Sequence, residues 1–195
     1  MLALGIDIGT SSVKVAVVDI DTQITIAQTN FPETEAPIIA LQDGWAEQNP
    51  NDWWYYVRQA ILKLGQQIPS ELACISCIGI AYQMHGLVCI DKQGKLVRNS
   101  IIWCDSRAAS IGDEALRQMG ESYCYEHLLN SPGNFTASKL AWVKTNEPQV
   151  FEKIATVLLP GDYIALQLTG TAATTITGMS EGVFWDYQHN SISSK

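Results

Sequence analysis

The chain has 195 residues, 47% of them apolar and 16% charged, with a net charge of −8. That length and apolar content suit one domain that buries roughly 70% of its unfolded surface, and they exclude a disordered chain. Twelve basic residues against twenty acidic ones exclude nonspecific binding to nucleic acid or to an anionic membrane, because there is no basic field. A small phosphate at a local cationic site stays open.

The opening residues, Met1 to Asp7, lack a basic n-region and meet an acid at once, so they do not read as a secretory signal. The stretch 73–90 has no Lys, Arg, Asp or Glu, but Ser76, Gln83, His85 and two glycines make it a poor membrane span. Five cysteines, an odd and scattered set, read as free thiols of a reducing cytoplasm.

In chain order, the apolar run 2–8, the β-branched run 13–19 and the run 24–29 predict an antiparallel meander, turned at Gly9-Thr10-Ser11-Ser12 and at 19–23. A long polar connection covers 30–48. Asn49 then offers a cap, Pro50 suits the first helical position, and Asp52 stands at capping-box spacing. Trp53, Val57, Ala60, Ile61 and Leu64 recur on one helical face. Residues 75–81 read as a buried strand, and 87–90 with 95–97 as a hairpin around Asp91-Lys92-Gln93-Gly94. Helices are predicted over 107–119 and 138–146, a short strand over 156–159, and a helical turn or two over 162–168. Strands followed by alternating helices and strands define an α/β domain.

Three segments offer chemistry. In the first, 5–14, the turn Gly9-Thr10-Ser11-Ser12 leaves backbone N–H groups free to cradle phosphate oxygens. Asp7, near the end of the first strand, can hold a hydrated Mg²⁺, and Lys14 adds a positive charge. This is not the Gly-Lys phosphate loop of the nucleotide-binding strand–loop–helix motif, and a plain hairpin turn explains the same residues equally well. The second is Gln83-Met84-His85-Gly86, which directly follows an apolar strand. His85 can hydrogen-bond a hydroxyl and Met84 can pack on a carbon skeleton; a satisfied histidine in a bend is the simpler account. The third is Trp103-Cys104-Asp105-Ser106-Arg107. An indole beside an Asp and an Arg suits a sugar, whereas an ordinary helix cap at Asp105 or Ser106 with a surface ion pair needs no ligand.

Three other features carry less. Cys74 and Cys77 fall within a predicted strand, where residues three apart face opposite sides, and no second such pair exists to complete a zinc site. Asn134-Phe135-Thr136 is a glycosylation sequon without a secretory signal. The aromatic run Trp53 to Tyr56 reads as packing rather than a nucleic-acid platform, given the net charge.

Taken together, these segments resemble the amino-terminal part of the FGGY carbohydrate kinases, in particular the xylulokinase-like branch. Gly5 to Lys14 looks like that family's first phosphate loop, and Gly44-Trp45-Ala46-Glu47-Gln48-Asn49-Pro50 with Asp52-Trp53-Trp54 like its Trp-rich stretch. Gln83-Met84-His85-Gly86 is similar to the motif associated with xylulose, and Ile101 to Arg107 to the Trp-Asp-Arg segment. Pro132 to Leu140 and Leu158 to Tyr163 continue the likeness in order.

The resemblance implies an actin-like, ribonuclease-H-like α/β fold, with ATP and Mg²⁺ as cofactors and a small sugar as substrate. Asp7 would hold the metal, and Gly9, Thr10, Ser11, Ser12 and Lys14 would lie near the phosphates. Gln83, Met84, His85 and Gly86 would contact the sugar, with Trp103, Asp105 and Arg107 as weaker members of the same wall.

It also implies that residues 1–195 form the sugar-binding domain of a two-domain kinase, incomplete at its C-terminal end. The ATP-binding domain and the general-base Asp are expected beyond Lys195, and the chain alone is expected to be inactive. A homodimer is allowed; nucleic acid and membrane are not expected as partners. Thr174 to Gly182 departs from the family's usual Asp- and Ser-rich stretch, which keeps gluconate, another pentulose or a deoxy-ketose open, while Gln83-Met84-His85-Gly86 favours D-xylulose, phosphorylated to xylulose 5-phosphate. Two readings compete: a stand-alone sugar- or phosphate-binding module without turnover, and an actin- or chaperone-type ATPase. The second leaves Gln83 to Gly86 and the Trp45 segment unexplained.

Overall fold

The structure is a computed structural model that describes residues 1–195. β1 (Leu2–Ile8), β2 (Val13–Asp19) and β3 (Ile24–Phe31) form the expected antiparallel meander, with β3 two residues longer than its apolar run. After β4 (Glu47–Gln48) comes α1 (Pro50–Gln67). Asn49 caps it by accepting the Asn51 N–H, with Pro50 at the first position. The capping box does not close: Asn49 Oδ1 accepts the Asn51 N–H rather than that of Asp52, and the Asp52 carboxylate makes no bond back to the Asn49 N–H.

A single turn, α2 (Pro69–Leu72), leads to β5 (Ile75–Tyr82), which joins β1 in parallel and gives the sheet order β3-β2-β1-β5. The register pairs Ile8 with Tyr82, so the two strands end at the same edge and their following loops meet there. Clefts form where parallel strands present their carboxyl ends.

β5 is not the buried strand that its apolar run predicts. Ser76 to Gly79 and Ala81 are exposed, because β5 is the edge of the sheet and only Ile75, Ile80 and Tyr82 lean on the core.

β6 (Val88–Ile90) folds back at Asp91 as the expected hairpin, with Asp91 N–H donating to the Lys95 carbonyl (2.8 Å), Val97 N–H to the Cys89 carbonyl (3.1 Å) and a bridge between Ile90 and Leu96; Asp91 Oδ1 accepts the Gln93 and Lys95 N–H groups. β7 (Ser100–Ile101) pairs with β4. α3 (Ala109–Met119) starts two residues later than predicted. It lies so close to the following loop that a Cβ on Gly112 would sit 1.8 Å from the Gly133 carbonyl oxygen. α4 (Glu121–Tyr123) runs into a π-helical turn over Cys124–Leu128. α5 (Thr136–Asn146), α6 (Pro148–Phe151), β8 (Thr156–Leu158), α7 (Pro160–Thr169) and α8 (Ile176–Glu181) follow, then a small hairpin of β9 (Trp185–Asp186) and β10 (Ser191–Ile192). β8 also pairs with β6, antiparallel.

The main core is one seam. Leu4, Ile6 and Ile8 alternate inward from β1, and Val13, Val15 and Val17 from β2. They meet Trp53, Val57, Ala60 and Leu64 of α1, with Tyr163 and Ile164 of α7 behind. Each such side chain contributes about 1.5–3 kcal/mol on burial, so this seam holds the sheet on its helices. The opposite sheet face, with Asp7 and Lys14, stays open. The α/β class and antiparallel start expected from the sequence are borne out. All five cysteines are free, and no helix is long and apolar enough to cross a membrane.

Candidate functional site

The β1–β2 turn and the loop after β5 form a single hydrogen-bonded unit. Gln83 N–H donates to the Ile8 carbonyl (2.8 Å), which extends the parallel pairing one residue past β5. Thr10 Oγ1 donates to Gln83 Oε1 (3.1 Å) and accepts from Trp103 Nε1 (2.8 Å). Gln48 is the hub beneath them. Its Nε2 donates to the Thr10 carbonyl (2.7 Å), and its Oε1 accepts from Gln83 Nε2 (2.9 Å) and Trp53 Nε1 (3.0 Å). Four segments far apart in the sequence therefore share one cluster. Thr10→Val keeps the shape and removes both hydroxyl bonds. It is expected to destabilise the chain by about 1–2 kcal/mol and to loosen the Trp103 indole, read as a change in tryptophan emission.

Gly9 closes the turn by donating its N–H to the Ser12 carbonyl (3.1 Å). The N–H groups of Thr10, Ser11 and Ser12 make no hydrogen bond within the protein, which is the arrangement an anion can use. On the open sheet face next to this turn, Asp7 Oδ2 lies 3.8 Å from Lys14 Nζ, and both side chains are exposed. A concavity of about 900 Å³ spreads from them across Gly5, Asn30, Gly79 and Ala81. A single open carboxylate with room for water fits Mg²⁺, which keeps several waters and takes its other ligands from phosphates.

The loop 83–86 is held from two sides. His85 adopts a left-handed φ of 60°, a strained position for a residue with a side chain. Its N–H donates to Glu181 Oε1 (2.7 Å), and its carbonyl accepts from Lys139 Nζ (2.8 Å). Glu181 also accepts from the Tyr82 hydroxyl (3.0 Å). The His85 ring stands edge-on to Phe135, with centroids 4.2 Å apart, and its Nδ1 is buried without a hydrogen-bond partner. Burial pushes the imidazole below its usual range, which the Glu181 carboxylate opposes only in part, so the ring is neutral near pH 7. Gly86 has no room for a side chain: a Cβ there would lie 2.6 Å from Pro160 Cγ. Met84 and Trp103, 55% and 50% exposed, present apolar surface beside this loop.

Asp105 and Arg107 are placed differently. Neither Asp105 nor Ser106 caps α3, whose N-cap is Ala108 without a side-chain bond. Instead Asp105 accepts the Ala46 N–H (2.6 Å) and pairs with Arg107 (Nη2 to Oδ2, 2.6 Å). Arg107 also reaches Glu47 (2.7 Å) and lies 3.7 Å above the Trp45 ring. Both side chains are buried, so the expected hydroxyl-binding pair faces the core rather than the cleft. A two-residue spacing cannot reveal that the third partner, Glu47, arrives from sixty residues upstream. Gln48, Glu181 and Lys139 are members of the site that the sequence reading does not single out. Gln48 does sit in the Trp-rich stretch, and Lys139 in the Pro132–Leu140 stretch that carries the family likeness.

A four-stranded mixed sheet, with the 83–86 loop and a turn of unpaired N–H groups at the shared edge of β1 and β5, makes this an α/β domain whose candidate site lies at that edge. Residues 2–194 match the N-terminal domain of the FGGY family of carbohydrate kinases, and the chain belongs to that family. It is 36% identical over 182 residues to the xylulose kinase of Escherichia coli K12, covering 93% of this chain and 36% of that protein. It is 36% identical over 179 residues to the xylulose kinase of Bacillus subtilis 168, covering 88% of this chain and 34% of that one. The chain thus spans about a third of the length of the curated relatives it matches. Among solved structures, a "xyloylose kinase" from Brucella ovis superposes with a TM-score of 0.90 at 31% identity, over 100% of this chain and 40% of that one. The xylulose kinase of Rhodospirillum rubrum gives 0.89 at 25%, over 100% and 39%.

Proposed function

We propose that this chain is the sugar-binding part of an ATP-dependent kinase that phosphorylates D-xylulose to xylulose 5-phosphate. The observation that carries this reading is the Thr10–Gln83–Trp103 cluster, which ties the turn of unpaired N–H groups to the loop that carries Met84 and His85. The kinase names of the relatives supply the substrate. Met84 and Trp103 would pack on the C–H faces of the sugar, and the His85 ring would hydrogen-bond a hydroxyl through Nε2. Asp105, Arg107 and Glu47 act at one remove, by fixing the segment that carries Gln48.

Phosphoryl transfer forms one P–O bond to the sugar hydroxyl, breaks one in the nucleotide, and needs an acceptor for the hydroxyl proton. We assign that acceptor, and the ATP-binding domain, to a part of the protein beyond Lys195. The N–H groups of Thr10, Ser11 and Ser12 would receive phosphate oxygens, with Lys14 as a positive charge nearby. Asp7 would hold Mg²⁺ through water; when bound, the ion neutralises charge on the phosphate oxygens. Residues 83–86 and 9–12 would orient the two reactants, and orientation with electrostatics is most of the catalysis in such transfers.

The test is calorimetry with D-xylulose, gluconate and glycerol against the chain, together with xylulose-dependent ADP release by the complete protein. Xylulose is expected to bind best, and His85→Ala to weaken it about tenfold, roughly 1.4 kcal/mol. Unchanged affinity in that variant would remove His85 from the sugar site. Xylulose binding without ADP release by the complete protein would favour a binding module instead.

A further inference from the structure

Far along the chain from the cleft, two of the three histidines converge on one buried carboxylate. Asp186, at the end of β9, is 3% exposed. His127, from the π-helical turn, places Nδ1 3.1 Å from Asp186 Oδ2, and His189, from the β9–β10 turn, places its own Nδ1 2.9 Å from the same oxygen. The three ligand atoms lie within 4.8 Å of one another. We propose that His127, Asp186 and His189 form a binding site for one zinc-class divalent cation.

The chemistry favours that ion. Two imidazoles and a carboxylate suit Zn²⁺, whereas Mg²⁺ and Ca²⁺ take oxygen ligands. Bonds of about 2.0 Å at tetrahedral angles put ligand atoms roughly 3.3 Å apart. The nitrogen–oxygen separations here need to open by only a few tenths of an ångström. A histidine that binds a metal through Nδ1 carries its ring proton on Nε2.

The surroundings already orient the ligands. Asp186 Oδ1 accepts the N–H groups of Gln188 (2.9 Å) and His189 (3.0 Å), which fixes the carboxylate plane. The His127 ring is stacked on Tyr123, with centroids 4.0 Å apart and planes 14° from parallel. Outer partners of this kind set ligand orientation in metal sites. The Tyr123 hydroxyl, 3.3 Å from Oδ2, brings a third donor to that one oxygen. Three donors crowding one acceptor are relieved when a cation takes their place. His189, 69% exposed, leaves a path for entry and a fourth position for water. A bound ion would pin the β9–β10 hairpin to the π-helical turn, which otherwise meet through single bonds such as Tyr187 N–H to the His127 carbonyl (2.7 Å).

The experiment is calorimetric titration of the EDTA-treated chain with Zn²⁺, with thermal unfolding followed in parallel and Co²⁺ used as an absorbing probe. One ion per chain and a raised unfolding midpoint are expected, with no competition from Mg²⁺. Losing an outer partner alone costs 10–100-fold in affinity, so His189→Gln, which loses a direct ligand, is expected to lose about 100-fold or more. Because His189 is exposed, the metal-free unfolding midpoint of that variant should match the parent. His127→Gln should show the same loss of affinity. Absence of Zn²⁺ binding, or binding that survives in His189→Gln, overturns the proposal. So does a thiolate charge-transfer band with Co²⁺, which would move the ion to one of the exposed free cysteines.

Discussion

Asp105→Ala is expected to destabilise the chain by about 3–5 kcal/mol, measured as a fall in the urea midpoint at unchanged slope. The figure follows from burial. An exposed ion pair contributes about 0–1 kcal/mol, but here the Asp105 and Arg107 side chains are 0% and 1% exposed. Removing the carboxylate leaves the guanidinium inside the protein with Glu47 as its one remaining anion. That anion is already shared, since Arg98 Nη2 lies 2.6 Å from the same Glu47 oxygen. The Ala46 N–H loses its acceptor as well. Asp105→Asn keeps the shape and should fall between the parent and the alanine variant. A loss below about 1 kcal/mol for Asp105→Ala would mean that water reaches Arg107 and that the pair is a surface contact after all. Two residues beyond Ala46 stands Gln48, so the same variant should also weaken whatever the Thr10–Gln83 cluster binds.

The contrast between Asp105 and Thr10 marks what a sequence can disclose. The strands 2–8 and 13–19 are written in local alternation, and the start of α1 in Asn49 and Pro50, so both can be read without tertiary information. The turn at 9–12 and the loop at 83–86 are legible for a related reason: each directly follows an apolar strand, and parallel strands that end together bring their loops together. The direction in which Asp105 and Arg107 point is set by Glu47 and Trp45, far away in sequence, and no local pattern encodes it. β5 shows the opposite limit. Its apolar run predicts burial, but burial depends on a neighbour, and at the edge of this sheet most of it faces solvent. Likewise Ser106 has the chemistry of a helix cap, yet its hydroxyl donates to the Gly44 carbonyl (3.1 Å), a partner that only the folded chain supplies.

Between pH 8 and pH 10 the parent chain is expected to gain roughly 2 kcal/mol of stability relative to Lys139→Met. Lys139 is 0% exposed, and its ammonium donates to the carbonyls of His85 (2.8 Å) and Asn134 (2.9 Å). Burial pushes its pKa down to about 8, against the pull of the Asp105 carboxylate. In the unfolded chain the amine titrates near 10.4. Between the two values the unfolded chain holds the proton and the folded chain does not, so stability rises with pH across that window. Below pH 8 the folded chain carries the full cost of a buried charge; above about 10.4 that cost is gone. Methionine removes the titration while keeping most of the volume, so other groups that ionise in this range cancel in the difference between the two profiles. Parallel profiles would show that the ammonium keeps its water. The consequence would reach the sugar site: Lys139 and Glu181 grip the His85 backbone from opposite sides, and an amine solvated in both states would leave Glu181 as the sole tether holding His85 in its left-handed turn.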